Sequence, residues 1–284
     1  MPLKSIGILG AGVMGAGIAQ VAAAAGYQVT LRDIDEKYTS GAIARIDAGL
    51  ARQVAKGKMA AEDKDALLGR IAITTSIDAL AESDLVIEAV IEDFELKKAV
   101  FAELGKVCKP EAIFATNTSS ISVTHLASSS GRADKFLGIH FFNPVHVMKL
   151  VEIIGSELTD PAIPGIAQEF VLSLGKTPVQ VLKDSPGFIV NRLLVPYLNE
   201  AVRLLEEGVA SIEDIDKAVK LGLNYPMGPF EMIDMGGLDL TIGTLEYFAK
   251  EFNDLGYAPR PTLRLKARAG KLGRKTGEGF IKHK

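Results

Sequence analysis

Apolar and polar positions along the first two thirds of the chain fall into short hydrophobic runs separated by longer amphipathic stretches. Ile6-Gly7-Ile8-Leu9 predicts a buried strand, residues 16–25 an alanine-rich helix closed by Gly26, and residues 27–31 a second strand. A polar, helical stretch covers residues 35–70. Strands are predicted at 71–74, 84–89, 112–116, 136–142, 149–154 and 179–182, with a helix at 96–107 that Pro110 stops. This βα alternation predicts a mostly parallel, doubly wound α/β sheet. The strands on either side of Asn143-Pro144 are close enough to form a hairpin. At Asp184-Ser185-Pro186-Gly187 the pattern changes. Ser185 suits an N-cap and Pro186 the first helical position. Beyond it the β pattern disappears. Residues 188–208 predict one long helix with Leu193, Leu194, Tyr197, Leu198, Val202 and Leu205 on its apolar face. Ser211 caps a helix over 212–221, and further helices follow Pro229 and Gly236-Gly237. The expected division is a nucleotide-type α/β domain at 1–184 and a smaller all-helical domain at 185–284.

The junction of the first strand and helix carries Gly10-Ala11-Gly12-Val13-Met14-Gly15, and Asp33 stands at the end of the next strand. Strand, glycine loop, helix, strand and acid in this order form the fingerprint of a Rossmann-type dinucleotide site. Gly10 allows the tight turn, Gly12 lets the backbone approach a pyrophosphate, and Gly15 lets helix and strand pack closely. Val13 and Met14 open the helix whose unpaired N–H groups and positive dipole end face the phosphates. Asp33 is placed to accept hydrogen bonds from the adenosine ribose and to repel a 2′-phosphate, which favours NAD over NADP; Arg32 beside it softens that preference.

Composition narrows the class. A length of 284 residues allows one large or two smaller cores, and a hydrophobic fraction of 48% fits a globular protein. A formal net charge of −3 provides no drive toward nucleic acid or an anionic membrane, and no apolar run reaches the length of a membrane span. The opening MPLKSIGIL leads directly into the first strand, so no signal or transit peptide is expected. Cys108 is the single cysteine, which excludes an internal disulfide and suits a cytoplasmic protein; it reads as an inert thiol. Neither metal-ligand spacing nor a GxSxG nucleophile elbow occurs.

Ligands of doubly wound folds sit beyond the C-terminal strand ends. Three polar groups fall there: Asn117-Thr118-Ser119-Ser120, the segment 138–144 with His140 and Asn143, and Lys149-Leu150-Val151-Glu152-Ile153. If the two later strands pair, His140 and Glu152 meet across the ladder, and a histidine held by a carboxylate suits general base work. A carboxylate inside an apolar strand is costly unless it finds such a partner. His125, His146 and His283 have no matching acid at a strand end and read as surface or structural histidines.

The motifs GAGVMGAGIA, IEAVIEDFELK, NTSSIS, GIHFFNPV, KLVEII, DSPGFIVNRLL and GRKTGEGF span nearly the whole chain. Together they resemble the L-3-hydroxyacyl-CoA dehydrogenase family. The resemblance implies that His140 is the catalytic base, Glu152 its carboxylate partner, Ser119 a hydrogen-bond donor to the substrate's 3-oxygen near the nicotinamide, and Asn191 an orienting group for the substrate. It implies that Glu92, Lys97, Asn143 and Lys275 contact NAD, and that the basic stretch with Arg52 and Lys56 meets coenzyme A, where a solvated helix face is the alternative. The implied reaction interconverts a 3-hydroxyacyl-CoA and a 3-ketoacyl-CoA, with a free-standing chain of this length most like the bacterial members acting on (S)-3-hydroxybutyryl-CoA. In the reductive direction the protonated imidazole would donate the proton. Ile281 departs from the family's usual tyrosine, which questions tail packing more than chemistry. The apolar helices of the second domain suggest a homodimer through that domain, and the linker suggests a hinge. Rival readings are a dehydrogenase of free hydroxy or sugar acids, a redox-silent NAD-binding protein, or the dehydrogenase part of a larger enzyme.

Overall fold

The computed structural model describes residues 3–283. The chain divides into two compact units between Ser185 and Pro186.

The first unit holds β1 (Ser5–Leu9), α1 (Val13–Ala24), β2 (Gln28–Arg32), α2 (Glu36–Ala55), α3 (Ala61–Leu68), β3 (Ile71–Thr74), β4 (Leu85–Glu88), α4 (Phe94–Val107), β5 (Ile113–Thr116), α5 (Val123–Ser129), β6 (Phe136–Phe141), β7 (Leu150–Gly155), α6 (Ile163–Ser173) and β8 (Thr177–Val181). They build an eight-stranded sheet in the order β3-β2-β1-β4-β5-β6-β7-β8. Every pairing is parallel except β6 with β7, the expected hairpin. The inner strands β4, β5 and β6 are buried at every residue, as strands covered on both faces must be. Edge strands β3 and β8 are largely exposed, and β8 tolerates Pro178 because an edge need not donate to a ladder. Helix α1 buries Ile18 together with Gly15, Ala16, Ala19, Ala22 and Ala23, small residues that let it lie close to the sheet.

Several boundaries differ from the sequence reading. The stretch 35–70 is two helices, because Gly57 takes a left-handed conformation (φ +67°) and ends α2. Helices α5 and α6 were not anticipated. Short α5 depends on a cap: Ser122 Oγ accepts from His125 N (3.2 Å) and donates to Asp184 (2.7 Å). In α6, Ile163, Ala167, Phe170 and Val171 do carry a helical spacing, and they face the core.

The second unit is helical: α7 (Val190–Glu206), α8 (Ile212–Gly222), α9 (Pro229–Gly236), α10 (Leu238–Glu251) and α11 (Pro261–Arg268). Its core joins Val195, Leu198 and Val202 of α7 to Phe230, Leu245 and Phe248. Helix α7 starts later than Ser185-Pro186 suggested. Pro186 to Ile189 forms a turn in which Gly187 (φ +76°) and Phe188 (φ +51°) are both left-handed, so the helical ladder cannot begin before it. A Cβ on Gly187 would come within 2.2 Å of the Phe248 ring, which makes glycine obligatory there. Helix α11 was also not anticipated. Buried Asp234 of α9 pins the tail by accepting from Phe280 N (2.8 Å) and Ile281 N (2.9 Å) and by pairing with His283 Nε2 (2.8 Å). His283 therefore does have an acid, on a helix rather than at a strand end. Ile281 packs against the core of this unit, so the tail is held without the tyrosine.

Among the described residues no helix is long and apolar enough to cross a membrane, and no cluster of three or more His, Cys, Asp or Glu could hold a metal ion.

Candidate active site

Register does most of the assembly. The antiparallel pairing of β6 with β7 sets His140 directly opposite Glu152. His140 Nδ1 lies 2.7 Å from Glu152 Oε2, with Glu152 fully buried and His140 only 5% exposed. The imidazole also packs against the Phe142 ring, 4.5 Å between centroids. A hydrogen bond of this length, shielded from water, fixes the orientation of the ring.

Four further groups stand at the same C-terminal edge of the sheet. The first is the glycine loop. A Cβ on Gly10 (φ +95°) would come within 2.5 Å of Ala89 O, and one on Gly15 within 1.7 Å of Gly10 O, so both positions exclude any side chain. A Cβ on Gly12 would meet nothing within 4 Å. Helix α1 has no side-chain N-cap, which leaves its first N–H groups to a ligand. Gly12, Val13 and Met14 thus form an open cradle suited to a pyrophosphate.

The second group is Asp33, which does more than sequence reading assigned. Its Oδ2 accepts from Ala11 N (2.6 Å) and its Oδ1 from Ile34 N (2.7 Å). The carboxylate braces the glycine loop and keeps lone pairs for a ribose. Arg45 Nη2 donates to Ala11 O (2.8 Å), so the Ala11 backbone is held at both its N–H and its C=O; nothing local in sequence marks Arg45 for this. Arg32 turns away, its Nε donating to Thr75 O (3.1 Å).

The third is the turn after β5. Ser119 is partly buried, and its hydroxyl binds no other group among the described residues. Asn117 Oδ1 accepts from Phe141 N (2.9 Å), which ties this turn to the strand carrying His140. Glu92 Oε1 accepts from Ser119 N (3.0 Å), from Ser120 N (3.3 Å) and Oγ (3.1 Å), and from the Thr118 hydroxyl. Burial pushes the Glu92 carboxyl up, but the Lys97 charge together with these donors outweighs it and holds the pKa below the usual carboxylate range. Lys97, expected at the cofactor, is only 1% exposed and lies between Glu88 (2.6 Å) and Glu92 (3.2 Å).

The fourth is the turn after β6. Asn143 is exposed, and its peptide bond to Pro144 is cis. Lys176, which carried no sequence signal, fastens this turn by donating to Val145 O (2.5 Å) and Met148 O (2.8 Å). Arg52 and Lys56 stand exposed at the C-terminal end of α2. Cys108 is buried, its Sγ 3.4 Å from Leu80 O, and burial raises its pKa, as an inert thiol requires.

Asn191 and Lys275 belong to the second unit. Asn191 opens α7, next to Arg192, whose guanidinium lies over the rings of Phe252 (3.5 Å) and Tyr257 (4.9 Å). Lys275 is exposed in the tail and pairs with Asp239 (2.6 Å).

Comparison with known proteins agrees with this geometry. The family model described as 3-hydroxyacyl-CoA dehydrogenase, NAD binding domain, matches residues 5–185. The model of the 3-hydroxyacyl-CoA dehydrogenase C-terminal domain matches residues 187–283. The chain is 46% identical over 282 residues to a 3-hydroxybutyryl-CoA dehydrogenase of Bradyrhizobium diazoefficiens, covering 99% of this chain and 96% of that one. It is 46% identical over 290 residues to the mitochondrial hydroxyacyl-coenzyme A dehydrogenase of Homo sapiens, covering 99% and 92%. The crystal structure of (S)-3-hydroxybutyryl-CoA dehydrogenase from Ralstonia eutropha superposes with a TM-score of 0.96 at 43% identity, covering both chains completely.

Proposed function

Since the chain belongs to the 3-hydroxyacyl-CoA dehydrogenase family, and so to the NAD-dependent oxidoreductases, we propose that it interconverts (S)-3-hydroxybutyryl-CoA and acetoacetyl-CoA. The observation that carries this reading is the buried His140–Glu152 pair at the edge of the sheet where the glycine loop also opens. NAD, when bound, supplies the nicotinamide carbon that accepts the hydride from the substrate's C3.

The protein's own groups do the rest. With Nδ1 turned to Glu152, His140 exchanges the 3-hydroxyl proton through Nε2. Glu152 stabilises the imidazolium that forms, an electrostatic contribution that is large because the acid is fully buried. Ser119 offers its hydroxyl to the 3-oxygen, and Asn191 orients the thioester. Gly10, Gly12, Val13, Met14 and Gly15 hold the pyrophosphate, and Asp33 the ribose. Glu92, Lys97, Asn143 and Lys275 complete the cofactor contacts, and Arg52 and Lys56 meet the phosphates of coenzyme A as exposed cations.

In the reductive direction, acetoacetyl-CoA should oxidise NADH, followed by absorbance, whereas free acetoacetate should not, and NADPH should serve less well than NADH. Turnover of free acetoacetate at a comparable rate would point instead to a dehydrogenase of free hydroxy acids. The enzyme is proposed to act as a cytoplasmic homodimer through its helical unit, which exposes Leu193, Leu221 and Leu240. Light scattering that finds monomer alone removes the dimer.

A further inference from the structure

We propose that Lys176 is a positioning residue for Asn143, acting from beneath the turn after β6 and setting where that turn meets the cofactor. The inference rests on the dehydrogenase reading above and adds a residue to it.

Lys176 is only 7% exposed, yet among the described residues no carboxylate pairs with its ammonium. Burial and the charge of Lys149 both lower its pKa, so the cation is kept in place at a cost. Its partners are two backbone carbonyls of one turn, Val145 O (2.5 Å) and Met148 O (2.8 Å). The base from which it reaches them is fixed on both sides. Gly175 (φ +68°) closes α6 in a left-handed turn, with Gly175 N donating to Leu172 O (2.9 Å) and Lys176 N to Val171 O (3.3 Å). Thr177, the next residue, donates its N–H to Lys149 O (2.8 Å) and opens β8, which pairs with β7. Lys176 is therefore a strut between the end of α6 and the turn above it.

The turn it supports lies against the dinucleotide helix. Val147 N and Met148 N both donate to Pro144 O (2.9 Å each), which folds the chain back on itself. Val145 is 2% exposed and rests on α1, where a Cβ added to Gly17 would come within 2.8 Å of Val145 Cβ. Asn143 stands two residues earlier, exposed at the rim. The β6–β7 ladder ends with the pair Phe141–Val151, so it does not fix Asn143; the turn does. His140 differs, because the ladder and Glu152 hold it independently of the turn. Loss of the ammonium would leave two carbonyls without their donor and let the turn shift toward water, carrying Asn143 with it while His140 stays.

The test compares Lys176→Met, Asn143→Ala and the double variant. NADH affinity is read by fluorescence titration, kcat with acetoacetyl-CoA and NADH by absorbance, and folding by circular dichroism. Lys176→Met should raise the Kd for NADH about tenfold, the worth of roughly one misplaced hydrogen bond, with kcat within about threefold of wild type. Added to Asn143→Ala it should weaken NADH binding no further. A merely structural lysine would not produce that split or that coupling. If Lys176→Met does not fold, Lys176→Gln, which keeps a donor for one carbonyl, takes its place under the same criteria. Failure of both to fold would make Lys176 part of the scaffold alone and overturn the proposal. So would wild-type NADH affinity in the folded variant, losses that multiply with that of Asn143→Ala, or a large fall in kcat at unchanged NADH affinity. Asn143→Ala at wild-type NADH affinity would overturn the assignment of Asn143 and this inference with it. The titration needs no acyl-CoA, so its outcome stands apart from whether acetoacetyl-CoA is the substrate.

Discussion

Replacing Glu152 by glutamine isolates one charge in a site whose geometry barely changes. Glutamine is isosteric with glutamate and keeps a carbonyl oxygen that can accept from His140 Nδ1, now 2.7 Å from Glu152 Oε2. What disappears is the attraction between a buried anion and the imidazolium that forms as the hydroxyl proton moves. Two unit charges about 4 Å apart at an effective dielectric of roughly 20 attract by about 4 kcal/mol. The neutral bond that survives contributes on the order of 1 kcal/mol. The net loss in the transition state is therefore about 2–3 kcal/mol, which corresponds to roughly 30- to 150-fold in kcat. Cofactor affinity should hold, since the pair lies on β6 and β7 and the glycine loop lies after β1. The assay is stopped-flow or steady-state NADH absorbance with acetoacetyl-CoA, with NADH affinity measured by fluorescence and folding by circular dichroism. A double-mutant cycle sharpens it: in a His140→Gln background, Glu152→Gln should cost almost nothing more. A folded Glu152→Gln enzyme with wild-type turnover, or a cycle with fully additive losses, refutes the electrostatic role.

Other predictions follow from separate parts of the structure. His140→Gln alone should lower kcat by about 10²–10⁴-fold with NADH binding near normal, read by the same two assays. Gly15→Ala should destabilise the first unit by roughly 1–3 kcal/mol or more, because its Cβ would sit 1.7 Å from Gly10 O. Gly12→Ala, with nothing within 4 Å of its Cβ, should leave thermal stability nearly unchanged yet weaken NADH binding at least tenfold; the reverse ordering of the two variants in melting and titration would count against the cradle. Burial pushes the Asp84 carboxyl up, but Lys109 and the N–H groups of Ser5 and Lys4 prevail and bring it down to about 2. Because the folded value lies below the unfolded 3.8, this stabilisation is present above about pH 4 and is lost as the pH falls toward 2. Asp84→Asn should remove on the order of 1–2 kcal/mol at neutral pH, discounted for a side chain 26% exposed, and flatten that part of the acid-unfolding curve.

Local sequence determined the parts whose partners lie close along the chain. The strand, glycine loop, helix and acid from Ser5 to Asp33 could be read directly, because these elements follow one another without interruption along the chain. The His140–Glu152 pair could be read too, since a hairpin converts a separation of twelve residues into a fixed cross-strand register. The short helices α5 and α6 and the break at Gly57 were harder, because helices of that length draw their stability from caps and packing rather than from their own propensity. Only the tertiary structure decided the fate of the polar groups. Lys176 carries no sequence mark of burial and Lys97 was expected only as a cofactor contact, yet both are buried, since acceptors from other elements converge on them. Asp33 and Arg45 hold the N–H and the C=O of one residue, Ala11, from positions 22 and 34 residues away. Periodicity records which face of an element avoids water, but a charge can leave water only where the fold has already gathered its partners, and that meeting has no local signature.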